Sequence, residues 1–198
     1  MNDRPNQPDT REDERELIES FRKGNIRAFD RLVGAHRDRV FGLCLRILGD
    51  YDDADECAQE TFVKMYNGID SFRMESSLST WLYRIAVNTC KNRIASRKAR
   101  NRHLDSGADP EPAPGNPGLG DLSFEPACLF ERSERQRRIT QAIALLPEKE
   151  RIAVVLKDIE GKTYEEIEEI TGIKEGTVKS SLSRARKFLR NELKDVFP

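Results

Sequence analysis

The sequence predicts an all-α chain built as two small helical domains joined by a flexible linker, and three observations carry that prediction. Apolar residues recur at helical spacing nearly throughout, and no alternating strand pattern of useful length interrupts them. One stretch breaks the periodicity: residues 105–128, DSGADPEPAPGNPGLGDLSFEPAC, hold five prolines, four glycines and five acids without one base. The third is the carboxyl-terminal run TYEEIEEITGIKEGTVKSSLSRARKFLRN, residues 163–191, which reads as two helices joined by a tight turn. The expected organisation is a disordered tail over 1–14, a first domain over 15–102, a linker over 103–126 and a second domain over 127–198.

The elements follow in order. Leu17, Ile18 and Phe21 mark a short first helix stopped by Gly24-Asn25. Phe29, Leu32, Val33, Val40, Leu43, Cys44 and Ile47 mark a longer second one ending near Gly49. A third is expected to open at Asp53, with Glu56 three residues on completing a capping box, and to run through Phe62, Met65 and Tyr66. After the loop from Ser71 to Ser79, a fourth runs from about Thr80 to Ala99. The linker follows; fully extended it spans about 80 Å, enough to pass two turns of duplex DNA at about 35 Å each. Helical pattern resumes with Leu129, Ile139, Ile143 and Leu146, and Pro147 suits the first position of the next helix, where its missing N–H costs nothing. Ile152, Val155, Leu156 and Ile159 continue it.

In the last pair, Thr163 with Glu166 forms a capping box, Ile167 and Ile170 give an apolar stripe, and Gly172 supplies the left-handed stop. From Lys179 to Arg190 the second helix carries Lys179, Arg184, Arg186, Lys187 and Arg190 with no acid, while Val178, Leu182, Ala185 and Leu189 keep a buried spacing. One side packs and the other attracts phosphate, the order of parts in a helix-turn-helix that binds DNA. A solvated amphipathic hairpin is the plainer reading of such a charge run.

With 35% charged and 37% hydrophobic residues, the 198-residue chain suits thin-cored helical units without a large catalytic cavity. Its net charge of -1 hides segregation: residues 50–60 hold six acids and no base, residues 84–102 seven bases and no acid. Patches of opposite sign suggest two unlike partners, a polyanion and a protein surface. Cys44, Cys57, Cys90 and Cys128 are widely spaced and read as small core residues of a reduced, cytoplasmic protein. No CxxC pair occurs and His36 and His103 stand alone, so no metal or cofactor is expected. The charged start and the absence of an apolar run beyond five residues predict neither signal peptide nor membrane insertion.

Three stretches in order, DDADECAQETFVKMY at 52–66, SFRMESSLSTWLYRIAVNTCKNRI at 71–94 and LPEKERIAVVLKDIEGKTYEEIEEITGIKEGTVKSSLSRAR at 146–186, together resemble the extracytoplasmic-function group of bacterial sigma factors, promoter-recognition subunits of RNA polymerase. The resemblance implies a region 2 domain that binds core polymerase and the -10 element, and a region 4 domain that reads the -35 element. It implies that Asp55, Glu56, Gln59, Glu60 and Phe62 dock on the polymerase, although acids at a helix start also simply complement the helix dipole. It places Phe72, Ser76, Ser77, Ser79, Trp81, Arg84, Asn88, Lys91 and Arg93 at single-stranded -10 DNA, where a polar loop beside basic charge can hold an unstacked base. Trp81 reads more readily as core, and Asn88 equally as an exposed residue of no consequence.

Thr163, Thr177, Lys179, Ser180, Ser183, Arg184, Arg186 and Lys187 fall at the duplex -35 element, Arg186 and Lys187 on phosphate. Ser181 departs from the resemblance where Arg is common, and Lys174 where Ser or Pro is common. The expectation is an alternative sigma factor, not an enzyme, that partners core RNA polymerase, promoter DNA and an anti-sigma factor and takes no small-molecule substrate. The alternative is a free-standing helix-turn-helix regulator of duplex DNA, which needs a dimer interface that no heptad or exposed apolar stripe supplies.

Overall fold

Short polar side chains set where the helices begin. In this computed structural model, which describes residues 10–104 and 128–194, α1 spans Thr10–Arg22 and α2 Ile26–Leu48. Asn25 caps α2 by accepting from the Arg27 N–H at 3.2 Å, and Gly49, at φ 71°, closes it with its own N–H on the Leu45 carbonyl. Helix α3, Tyr51–Gly68, starts earlier than expected: Asp50, not Asp53, is the cap, accepting from the Asp53 N–H at 2.9 Å. Gly49 and Asp50 are the whole connection between α2 and α3, so the chain reaches helical geometry before Asp53. A single 3-10 turn, Ile69–Ser71, ends α3, and α4 runs Leu78–Leu104. The first nine residues and residues 105–127 lie outside the described residues; α1 begins inside the expected tail 1–14 and α4 ends inside the expected linker 103–126.

In the carboxyl-terminal body α5 spans Cys128–Leu145 and α6 Glu148–Val154, which continues into a π-helical turn, Val155–Ile159. Pro147 stands at the cap of α6 rather than inside it, with ψ 145°. Then come α7, Tyr164–Thr171, and α8, Glu175–Glu192. The capping box of Thr163 and Glu166 forms in both directions, and Gly172 takes φ 70° at the stop.

Helices α2, α3 and α4 pack around Leu43, Ile47, Ala54, Met65, Leu82 and Val87, all without solvent exposure, and α1 lies across α2. The second body closes over Ile152, Leu156, Ile167, Ile170, Val178 and Leu182. Each such side chain contributes about 1.5–3 kcal/mol when fully buried. The two bodies touch, and their apolar residues form one continuous core. Helix α7 packs on α4, and α5 and α6 pack near the carboxyl end of α2. Arg151 fastens that end: its guanidinium donates to the carbonyls of Ile47 at 2.7 Å, Leu146 at 3.0 Å and Ala144.

Cys44, Cys57 and Cys90, one each on α2, α3 and α4, are fully buried where those helices meet. Hydrogen bonding to Cys44 and Cys57, with burial, pushes the Cys90 thiol pKa up. Their wide spacing in sequence concealed this convergence. Among the described residues no helix is long and apolar enough to cross a membrane, and no group of His, Cys, Asp and Glu could hold a metal ion.

Candidate protein and nucleic-acid interfaces

A groove of about 860 Å³ runs between α2 and α3. Phe29, Val33, Phe41, Tyr51, Phe62, Val63 and Tyr66 supply its apolar lining, with Asp30, Asp38 and Asp55 among its polar residues. Phe29 and Tyr66 meet edge to face at 5.2 Å, Phe41 and Tyr51 at 5.1 Å. Of the candidate protein-docking residues, Asp55, Gln59 and Phe62 line this groove, and Gln59 donates to the Asp55 carboxylate at 2.7 Å. Glu56 and Glu60 do not. Glu56 is engaged by Arg93 at 2.5 Å and Glu60 by Lys64 at 2.8 Å. The α2 half of the groove escaped the sequence reading, which assigned Phe29 and Val33 to a helical core stripe and passed over Phe41 and Tyr51.

The loop after α3 is pinned at both ends. Phe72 is buried and stacks on Trp81 with ring centroids 4.8 Å apart, and the indole lies against α3 at Gly68. At the other end the Ser77 hydroxyl accepts from the Thr80 N–H at 3.1 Å and caps α4. Beside the loop lies a cavity of about 670 Å³, reached by Phe72, Ser76 and Ser77 and walled by Glu14, Arg15 and Ile18 of α1 and Glu166 and Glu169 of α7. Arg84 and Asn88 are exposed on α4, away from that cavity. Arg93 sits elsewhere, in ion pairs with Asp53 at 3.1 Å and Glu56, on the acidic start of α3. There the basic run of α4 folds onto the acidic helix, a pairing that a reading of separate patches misses.

The amino-terminal half of α4 meets α7 through polar contacts. The Thr80 hydroxyl, 2% exposed, donates to Glu166 at 3.1 Å, and Lys162 bridges Glu166 and the Ser79 hydroxyl at 3.1 Å each. Glu166 therefore closes the α7 capping box and the domain seam together. Burial would raise its pKa, but the Thr163 N–H and the Lys162 ammonium hold it below the usual carboxylate range. Tyr83 donates to Glu160 at 2.6 Å, and Arg46 reaches the same carboxylate at 3.1 Å. Burial, then this bond, pushes the Tyr83 hydroxyl pKa up. Lys91 donates to the Thr171 carbonyl at 3.3 Å, at the carboxyl end of α7, and burial lowers its pKa. Thr80, Tyr83, Glu160 and Lys162 were missing from the sequence-derived sites, and only the cap Ser77-x-x-Thr80 left a local trace.

In the helix-turn-helix the buried stripe of α8 is Val178, Ser181, Leu182 and Ala185. At 3.6 residues per turn Ser180, Ser183 and Lys187 stand opposite it, while Thr177 and Lys179 are exposed at its edges and Thr163 is exposed at the cap of α7. Ser181 faces the interior, so its departure from the resemblance is a packing difference on the side away from any groove. Arg184 and Arg186 flank the outer face and both are anchored, Arg184 to Glu150 at 2.7 Å and Arg186 through two nitrogens to Asp158 at 3.0 and 2.5 Å. Lys179 pairs with Glu175 at 2.5 Å and lies over the Tyr164 ring, 5.1 Å from its centroid.

Residues 32–100 match the family model described as Sigma-70 region 2, and residues 136–189 the one described as Sigma-70, region 4. The chain is 37% identical over 188 residues to the RNA polymerase sigma-H factor of Pseudomonas aeruginosa, covering 94% of this chain and 97% of that one. It is 38% identical over 185 residues to the ECF RNA polymerase sigma factor SigW of Bacillus subtilis, covering 90% and 96%. Its fold is similar to that of the sigma factor RpoE in complex with the anti-sigma factor NepR from Bartonella quintana, with TM-score 0.65 at 25% identity over 84% of this chain and 96% of that one. It is also similar in fold to CnrH, solved with the cytosolic domain of CnrY, with TM-score 0.62 at 24% identity over 94% and 99%.

Proposed function

The chain belongs to the sigma-70 family of RNA polymerase sigma factors, in its extracytoplasmic-function group, and on that premise we propose which of its surfaces performs each step of initiation. It is an alternative sigma factor that directs promoter recognition. What carries the reading is the order of the two matches, region 2 on α2 to α4 and region 4 on α5 to α8. The reading as a free-standing duplex regulator is not favoured, because such a protein has no use for a region 2 domain.

The α2–α3 groove docks core polymerase: its apolar lining buries side chains of the partner, while Asp30, Asp38 and Asp55 select a basic surface. The outer face of α8 reads the upstream duplex, Lys179, Ser180, Ser183 and Arg184 at base edges and Arg186 and Lys187 at phosphates. The face of loop 72–79 that lines this cavity takes an unpaired base of the -10 region once α7 has withdrawn, with Ser76 and Ser77 offering hydroxyls to its edge and Asn88 its amide to the strand. No covalent step is assigned to the chain, and its work is set in the cytoplasm. By likeness to RpoE, an anti-sigma factor is a further partner, covering the groove or the DNA faces.

The test is reconstitution. Core RNA polymerase with this chain should associate and start transcripts at its own promoters that core alone does not start. Failure of both association and initiation overturns the reading, and promoter binding without polymerase association restores the free-standing regulator.

A further inference from the structure

Helix α1 precedes the region 2 match, which begins at residue 32, yet one of its side chains grips the root of the candidate capture loop. Arg22, the last residue of α1, turns its Nη2 onto the carbonyls of Phe72 at 2.5 Å, Ile69 at 2.8 Å and Asp70 at 3.2 Å. These carbonyls belong to the 3-10 turn that ends α3 and to the first residue of the loop. A helix end leaves such acceptors unpaired and negatively polarised, so a guanidinium suits them. The nearby Ser71 hydroxyl serves only the Gly68 carbonyl, at 2.8 Å. The Ile69 carbonyl also accepts from the Phe72 N–H at 3.2 Å, but the donor that all three share comes from 47 to 50 residues away.

The same helix meets the loop a second time. Arg15 Nε stands 3.4 Å from Met74 Sδ, and Met74 takes φ 58°, a left-handed conformation that a side chain with a Cβ holds only when its surroundings fix it. Glu14, Arg15 and Ile18 form one wall of the cavity beside the loop. Between Phe72, held on Trp81, and Ser77, held by α4, Met74 packs against the core and meets α1 through Arg15.

We propose that α1 is a working part of the strand-capture site, with Arg22 as a positioning residue that fixes the loop's root and so the pose in which the unpaired base is received. The inference rests on the reading of loop 72–79 as the base-capturing loop. Holding the Phe72 carbonyl fixes the backbone from which the rest of the loop departs, and a loop already in its binding pose loses less entropy on capture. An ordinary helix cap would stabilise α3 and leave the selectivity of the loop untouched; a positioning residue changes capture without changing polymerase binding.

The experiment uses holoenzyme made with the full chain carrying Arg22→Ala or Arg22→Lys. Affinity for a single-stranded -10 oligonucleotide, base preference at the captured position and permanganate reactivity of unpaired thymines at equal occupancy are read beside core affinity and thermal unfolding. Arg22→Ala should lose about tenfold in single-strand affinity, the worth of a charge-assisted hydrogen bond or two at a partly exposed site, and should broaden base preference while core affinity holds. Should Arg22→Ala not fold, Arg22→Lys carries the test, because an ammonium lacks the planar fork that spans these carbonyls. Unchanged capture in the folded variants overturns the proposal, as does a loss of capture matched by an equal loss of core affinity. Ser77→Ala and Asn88→Ala separate the two readings. If neither impairs capture, the loop reading itself falls; if they impair it and the Arg22 variants do not, only the role of Arg22 falls.

Discussion

The α2–α3 groove and the first half of α4 belong to the same small bundle, but one faces solvent and the other is already partnered. In the groove Tyr51 is 54%, Val63 59% and Tyr66 47% exposed. On α4, Thr80 and Tyr83 are each 2% exposed and bonded to Glu166 and Glu160 of the other domain. The surface proposed for polymerase is therefore open in the isolated chain, while the surface proposed for single-stranded DNA is covered in part, Ser79 and the loop cavity by the other domain, with Arg84 and Asn88 left exposed. On that proposal polymerase docking comes before capture of the strand, and the free chain binds single-stranded DNA weakly.

The largest expected effect attacks the open side. Asp55→Lys with Phe62→Ala should lower core affinity by about a hundredfold, because it removes an aromatic anchor and reverses a groove charge. A melting curve like that of the parent would exclude misfolding, and undiminished affinity in a pull-down titration would move docking to another surface.

Next in size is the closed side. Glu160→Gln weakens the carboxylate shared by Tyr83 and Arg46 and should open the domains, raising the radius of gyration in solution scattering. Single-strand affinity of the free chain should rise about fivefold, the worth of roughly one net hydrogen bond. An expanded chain with no gain in affinity would show that the seam does not cover the DNA face.

Alkaline titration sharpens the same contrast. Tyr83 has its folded pKa raised above the ordinary value of about 10, first by burial and then by its bond to Glu160. Its protonated hydroxyl thus contributes fully below about pH 10, and that contribution is lost as pH rises through the folded value. The domains should stay closed through neutral pH and loosen only in strong alkali, and Tyr83→Phe should remove that step from the scattering profile. A parting of the domains near pH 7 would assign the seam to other groups.

The smallest effect lies on α8, away from the seam. Lys187→Ala should lower the salt slope of duplex binding by about one. Arg186→Ala should lower it by less, since Asp158 already neutralises that guanidinium. Equal slopes for both would mean that Asp158 releases Arg186 on DNA.

Local signals were the legible ones. Thr163 with Glu166 and Gly172 announced the helix-turn-helix because a cap and its target lie within a few residues of each other. Asp53 misled because it and Asp50 are both acids at a helix start, and only the two-residue connection after α2 chooses between them. The partners of Thr80 and Tyr83 lie 86 and 77 residues away, and such pairings leave no periodic trace. The meeting of Cys44, Cys57 and Cys90 was hidden for the same reason. In the groove, α3 was found by its acids, whereas its α2 wall reads as ordinary amphipathic helix until the two are set side by side.

Arg151 bears on how the joint between the domains can be undone. Two of its three carbonyl partners, Ala144 and Leu146, lie in its own domain, and only Ile47 lies across the joint. Parting the domains frees Nη1 and leaves Nη2 on its two carbonyls, so the guanidinium stays aimed across the joint. A fastener that keeps half its grip while undone lets the two domains close again without rebuilding this contact.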